Sequence, residues 1–172
     1  AIQGMYELLP KIDRATIASV RVEMPGRWQA FRDAAMPALN LRYTLSLMLI
    51  EGELDFVSAQ SLDRMANDAQ ARAMMERITI AHDPAQEAPP GQPRTESARL
   101  IVTQASGQKH EIYVPYVVGF PSHPMGREEV EAKAMELMSP RLGTARARQV
   151  VERVRSLGSL PRAKDLAGMI AS

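Results

Sequence analysis

Residues 98–118 read ARLIVTQASGQKHEIYVPYVV, and this stretch decides the fold class. Leu100 and Val102 alternate with other side chains, and Ile112, Val114 and Tyr116 do so again after a break. Alternation with a period of two marks a half-buried strand. Between the runs lies Ala105-Ser106-Gly107-Gln108, a short turn containing glycine. Segments 98–104 and 109–118 are therefore predicted to pair as an antiparallel β-hairpin across Ser106-Gly107. Pro115 has no N–H to donate, so its segment belongs at a sheet edge or where the chain leaves the sheet.

Upstream, residues 83–96 hold four prolines and one glycine. They read as an exposed loop, with 85–95 expected to be the least ordered internal segment. Arg77 to Ala81 reads as another strand, with Ile78 and Ile80 inward. Thr16 to Met24 is a third, placing Ile17, Val20, Val22 and Met24 on one face and Arg21 and Glu23 on the other; Pro25-Gly26 closes it. Residues 1–9 have apolar side chains at helical spacing, stopped by Pro10. Residues 27–36 show no clear period. A helix apolar nearly all round runs from about Leu39 to Glu51, with Gly52 at its C-cap. Ser58 and Asp68 are read as starts of short helices over 59–66 and 68–76, with Leu62, Met65, Met74 and Met75 inward. Downstream, Arg127-Glu128-Glu129-Val130 opens a helix with acids in its first turn, ending near Ser139-Pro140. Two more helices fit 143–156 and 161–171. The whole reads as one α+β domain over 1–172: an antiparallel sheet of about four strands with a β-hairpin, covered by helices.

The chain has 172 residues, 21 basic and 20 acidic, for a net charge of +1. A domain built to hold nucleic acid carries a basic excess, and a single-strand platform carries more than 5% aromatics. Nucleic acid is therefore not an expected partner. The apolar run from Tyr43 to Ile50 is far short of the roughly 20 residues that span a bilayer, so no membrane is expected either. There are no cysteines. That removes disulfide scaffolds, thiol nucleophiles and thiolate clusters, and it fits a reducing, cytoplasmic setting. The chain opens directly into a helix without an initiator methionine, so it is expected to be cut from something longer.

The three histidines, His82, His110 and His123, are too far apart in sequence for a zinc pair. His82 reads as a strand-end residue and His110 as a hairpin residue. His123, between Pro121 and Pro124, is the one in a loop of functional character. Glu51, Glu53 and Asp55 have a calcium-like spacing but lack the twelve-residue frame, so a solvated turn is expected. Glu128, Glu129 and Glu131 are explained by the helix dipole. No nucleophile elbow and no phosphate-binding glycine loop is present. Most of the methionines fall at core spacing, as gap fillers. From Arg141 to Lys164 there are seven basic side chains and one acidic. This basic face is either simply solvated or attracts an acidic surface or an anionic substrate.

Four segments carry a resemblance. Asn40-Leu41-Arg42-Tyr43, followed by an apolar helix ending Ile50-Glu51-Gly52, resembles the S-x-x-Y…L-x-D-G segment of the MmgE/PrpD family. Residues 99–108 resemble its V-x-x-x-D-G hairpin. Gly119-Phe120-Pro121-Ser122-His123-Pro124-Met125, then Glu128, Glu131 and Lys133, resemble its G-H-P-x-N-P-L-[ST]-x-x-E-[LV]-x-x-K-F segment. The remaining helices resemble its C-terminal end. Family members include 2-methylcitrate dehydratase, cis-aconitate decarboxylase and iminodisuccinate epimerase. The resemblance implies that this chain is the smaller α+β C-terminal domain. Its partner would be its own N-terminal helical domain, in a homodimer. An active site between the two domains would act on a small polycarboxylate, without metal or other cofactor. Tyr43 would be catalytic, and Asn40, Gly119 and His123 would bind substrate. Most acid/base groups of the family lie outside this segment, so the isolated chain is expected to be inactive.

This sequence departs from the pattern at Leu39, where some members have histidine, and at Asn40, which replaces serine. Phe120 replaces the loop histidine and Ala134 a phenylalanine, and the change at Phe120 leaves the substrate open. For Tyr43 the competing reading is a core tyrosine bonded to a backbone carbonyl. For the whole chain it is a non-catalytic interaction or dimerisation module that packs helix 39–51 on a partner.

Overall fold

A computed structural model describes residues 1–92, 96–160 and 162–170. Its contacts divide into two compact units, Ala1–His123 and Pro124–Ser172. The first holds α1 (Ile2–Leu8), β1 (Ile17–Met24), α2 (Trp28–Arg32), α3 (Leu41–Glu51), α4 (Phe56–Ala59), α5 (Leu62–Asn67), α6 (Ala69–Met75), β2 (Ile78–His82), β3 (Ala98–Gln104) and β4 (Lys109–Val114). Short 3₁₀ turns fill several of the joints.

Among the described residues the strands form one sheet in the order β2-β1-β3-β4. The hairpin forms as expected, with Leu100 opposite Ile112 and Val102 opposite His110. Gly107 holds φ at +85°, a conformation that a Cβ disfavours, and its N–H closes the turn on the Gln104 carbonyl at 2.8 Å. β4 stops at Val114 rather than 118, because Pro115 cannot extend the ladder; the segment leaves the sheet from its edge.

The sheet is mixed, which corrects the antiparallel one expected. β1 pairs antiparallel with β3 but parallel with β2, Val20 opposite Ile78 and Val22 opposite Ile80. A parallel pair needs a long crossover, and α2 to α6 between β1 and β2 supply it. In β1 an irregularity between Ile17 and Ser19 explains why Ile17, three residues before Val20, still points to the same side.

One face of the sheet is packed by α1 and α3. Met5 and Leu8 of α1, Leu45, Met48 and Leu49 of α3, and Val20, Val22, Ile78, Ile80, Leu100 and Val102 of the strands form a continuous buried core. Each such side chain contributes about 1.5–3 kcal/mol. Gly4 lets α1 lie close: a Cβ there would stand 3.0 Å from Leu100 Cδ1 and 3.2 Å from the Cγ2 atoms of Ile112 and Val114. The opposite face is charged, with Arg21 paired to Glu23 and Arg99 set between Glu23 and Glu111.

Helix α3 begins at Leu41, after a 3₁₀ turn over Pro37–Leu39, and Asn40 caps it. Gly52 ends it at φ +89°, its N–H bonded to the Met48 carbonyl. Asp68 caps α6 as expected, but Ser58 lies inside α4, and the caps of α4 and α5 are Asp55 and Ser61. Leu62 is 65% exposed rather than inward, and Ala71 takes the buried position. Met65 and Met75 pack beside Tyr43, Leu47 and Ala71, and Met74 packs on the main core. In the 83–96 segment, Pro84–Gln86 form a 3₁₀ turn and Gln86 docks inward on the Glu23 carbonyl. Pro89 and Pro90 are exposed, and 93–95 lie outside the described residues.

The second unit holds α7 (Arg127–Leu142), α8 (Thr144–Arg155) and α9 (Ala163–Ile170). α7 runs past Ser139-Pro140, which corrects its expected end. The proline removes one bond near the terminus, and the last turn still closes through Gly143 N–H on the Ser139 carbonyl at 2.9 Å. Glu129 accepts from the Gly126 N–H at 2.7 Å, so one of the first-turn acids does cap the helix. α8 folds back on α7, and Arg155 pairs with Glu131 across them. Residues 161 and 171, the ends of the last predicted helix, lie outside the described residues.

Candidate functional site

Four residues were singled out by the sequence, and the structure sorts them into two pairs. Asn40 and Tyr43 form the first. Asn40 is 7% exposed, and both ends of its amide are engaged. Its Oδ1 accepts from the Tyr43 N–H at 3.1 Å, and its Nδ2 donates to the Ala34 carbonyl at 2.9 Å. This is N-cap chemistry that satisfies an otherwise orphaned donor. Tyr43 is 0% exposed. Its hydroxyl donates to the Ser58 carbonyl at 2.8 Å, the backbone bond of the core reading. Burial pushes its phenol above the ordinary tyrosine range.

Around that hydroxyl lies a network that the sequence analysis did not pick out. Arg64 reaches Ser58 Oγ at 3.0 Å, Glu51 Oε1 at 2.6 Å and Asp68 Oδ2 at 3.1 Å. Glu51 and Asp68 thus hold one guanidinium from two sides. Asp68 sits below the usual carboxylate range because the Ala71 N–H, then Arg64, bond to it. Asp55 is lowered by Ser58, to which it is hydrogen bonded, and by its two capped amides. The available signal was the i, i+4 spacing of Arg64 and Asp68. Nothing in the sequence pointed from there to Glu51.

The second pair is Gly119 and His123, in the turn after β4. Gly119 takes φ +103° and donates its N–H to the His123 carbonyl at 2.8 Å. His123 returns its own N–H to the Phe120 carbonyl, also at 2.8 Å. The turn is therefore closed by main-chain bonds alone, and its glycine allows the reversal. The Val118 N–H donates to Gln3 Oε1 at 3.0 Å, which ties the approach to α1. His123 is exposed, and among the described residues its imidazole has no hydrogen-bond partner. The other two histidines are occupied. His82 Nε2 lies 2.7 Å from Glu87 Oε1, and His110 Nε2 lies 3.1 Å from Gln104 Oε1.

The two pairs do not converge. Tyr43 packs toward α6, which leads into the edge strand β2, whereas the Gly119 turn follows β4 at the other edge. Among the described residues no three His, Asp or Glu side chains are grouped to hold a metal ion. No helix among them is long and apolar enough to cross a membrane.

A family model for the MmgE/PrpD C-terminal domain matches residues 1–157. The chain belongs to this family. The match takes in the sheet unit together with α7 and α8, and stops before α9. No curated protein matches the chain. Within this MmgE/PrpD C-terminal domain, the four segments that carried the resemblance fall on α3, the β3–β4 hairpin, the Gly119 turn with the first half of α7, and the helices that follow.

Proposed function

We propose that this MmgE/PrpD domain serves a lyase or isomerase of small polycarboxylates, with chemistry like that of 2-methylcitrate dehydratase. In this reading it forms one wall of a site completed by its own N-terminal helical domain, in a homodimer. The observation that carries the reading is the family match across residues 1–157. Dehydration, decarboxylation and epimerisation of such acids can each begin at the carbon next to a carboxylate. Each needs a placed base and donors for the developing negative charge. On this chain the surface suited to that task is the Gly119–His123 turn. It is closed by main-chain hydrogen bonds and presents one exposed imidazole with no partner among the described residues, open to meet a carboxylate. Asn40 and Tyr43 enter as the groups that seat α3 beneath the wall.

The module reading is not favoured. It placed a partner on helix 39–51, and every residue from Leu41 to Leu49 except Arg42 is already buried inside the unit.

The test is steady-state turnover of 2-methylcitrate and of cis-aconitate by the full-length enzyme, wild type against His123→Ala. Turnover is expected to fall by about tenfold or more, the scale of a lost charge-assisted hydrogen bond to a substrate carboxylate. The melting temperature should hold, because the turn is closed without the imidazole. Unchanged turnover places the turn outside the site.

A further inference from the structure

Arg14 and Arg77 stand apart from most arginines of the sheet unit. Arg21, Arg32, Arg42, Arg64 and Arg99 each meet a carboxylate. Arg14 and Arg77 are instead held by main-chain carbonyls. Arg14 Nη1 donates to the Ile50 carbonyl at 2.9 Å, at the C-terminal end of α3, where a cation is favoured. Arg77 Nη1 donates to the Ile17 carbonyl at 2.7 Å, across to β1. Arg14 Nη1 also reaches the Leu49 carbonyl at 3.4 Å. These bonds fix each guanidinium through Nη1 and leave its Nε and Nη2 without a partner among the described residues.

Arg14 and Arg77 both line one recess of about 440 Å³. Gln70 stands beside them, and Leu49, Ile50 and Met74 supply apolar lining. Among the described residues no acidic side chain lines it. Two arginines held by the backbone and lining one recess suit a carboxylate or phosphate group. The apolar lining suits a hydrocarbon body attached to it.

We propose that this recess is a binding site for a small organic anion, distinct from the Gly119 turn. Arg14 and Arg77 bind its charged end, Gln70 donates to it, and Ile50 and Met74 pack its carbon chain. The shared chemistry is an oxyanion group. The apolar lining selects a carboxylate with an organic body over bare phosphate. The proposal does not rest on the reading of the enzyme's activity.

The experiment is titration calorimetry of the full chain with glutarate, and separately with inorganic phosphate, up to about 10 mM. Saturable glutarate binding is expected, tighter than that of phosphate and weakened by added salt. Arg14 and Arg77 also tie elements together, so the variants are Gln70→Glu and Ala73→Glu. Both change exposed residues of α6 and put a carboxylate at the recess without removing a backbone anchor. Each should weaken glutarate at least about tenfold at an unchanged melting temperature, while His123→Ala keeps wild-type affinity. No saturable binding overturns the site. Equal binding by wild type and both α6 variants overturns it too, as does loss in His123→Ala alone. Phosphate binding as tightly as glutarate overturns the organic class of ligand.

Discussion

Tyr43 shows how little a motif position says about where a side chain points. Its hydroxyl is committed to the Ser58 carbonyl at 2.8 Å inside a sealed cluster with Leu47 and Ala71. Tyr43→Phe removes one of two hydrogen bonds to that half-buried carbonyl, which keeps the Ser61 N–H at 3.1 Å. A loss of about 0.5–1.5 kcal/mol of stability is expected, read as a lower urea midpoint at constant slope. Turnover per folded molecule of the full-length enzyme should change little. A tenfold or larger fall in kcat at an unchanged midpoint would instead return Tyr43 to the chemistry. Some residue roles were legible because they follow from local backbone demands. Gly52 and Gly107 both take positive φ where a cap and a reversal require it. The Arg64 network was not legible. Its members come from α3, α4, α5 and the cap of α6, and only the fold brings them together.

At the level of elements, local signals succeeded and pairing over distance failed. The β3–β4 hairpin is written in adjacent residues, whereas the β1–β2 pair depends on the whole crossover between them, which no period reveals. Ser58 misled because a helix of four residues, α4, offers too little pattern to separate its cap from its interior. The caps give a testable pH dependence. Asp68 accepts from the Gln70 and Ala71 amides and holds Arg64, which lowers its carboxyl below the ordinary aspartate range. A folded-state value below the unfolded one contributes stability that is complete above the unfolded value and is lost as pH falls through the folded one. Stability should therefore decline below about pH 4. Asp68→Ala should cost about 1 kcal/mol at pH 7, the usual worth of an N-cap. The gap between wild type and variant should close as acid is added. Urea midpoints at pH 7 and near pH 3 check this, and a gap that stays constant would show that the charge of Asp68 plays no part.

On the scale of the molecule, every buried residue of the two sheet-unit clusters lies within Ala1–His123. A fragment of residues 1–123 should then unfold cooperatively in urea, with amide protection strongest in β1 and β3, which are paired on both sides. A non-cooperative fragment would show that Pro124–Ser172 is needed to complete the core.

The last prediction concerns activity of the 172 residues alone. They should turn over neither 2-methylcitrate nor cis-aconitate. His82 is held by Glu87 and His110 by Gln104, and the one free imidazole, His123, has no carboxylate hydrogen bonded to it among the described residues. An exposed imidazole with no carboxylate to orient it can neither exclude water nor hold the charge that develops beside a carboxylate. The assay is product formation by the isolated chain against the full-length enzyme at equal folded concentration. Turnover by the isolated chain within about tenfold of the full-length rate would mean that this domain carries the whole site, and the two-domain reading would fall.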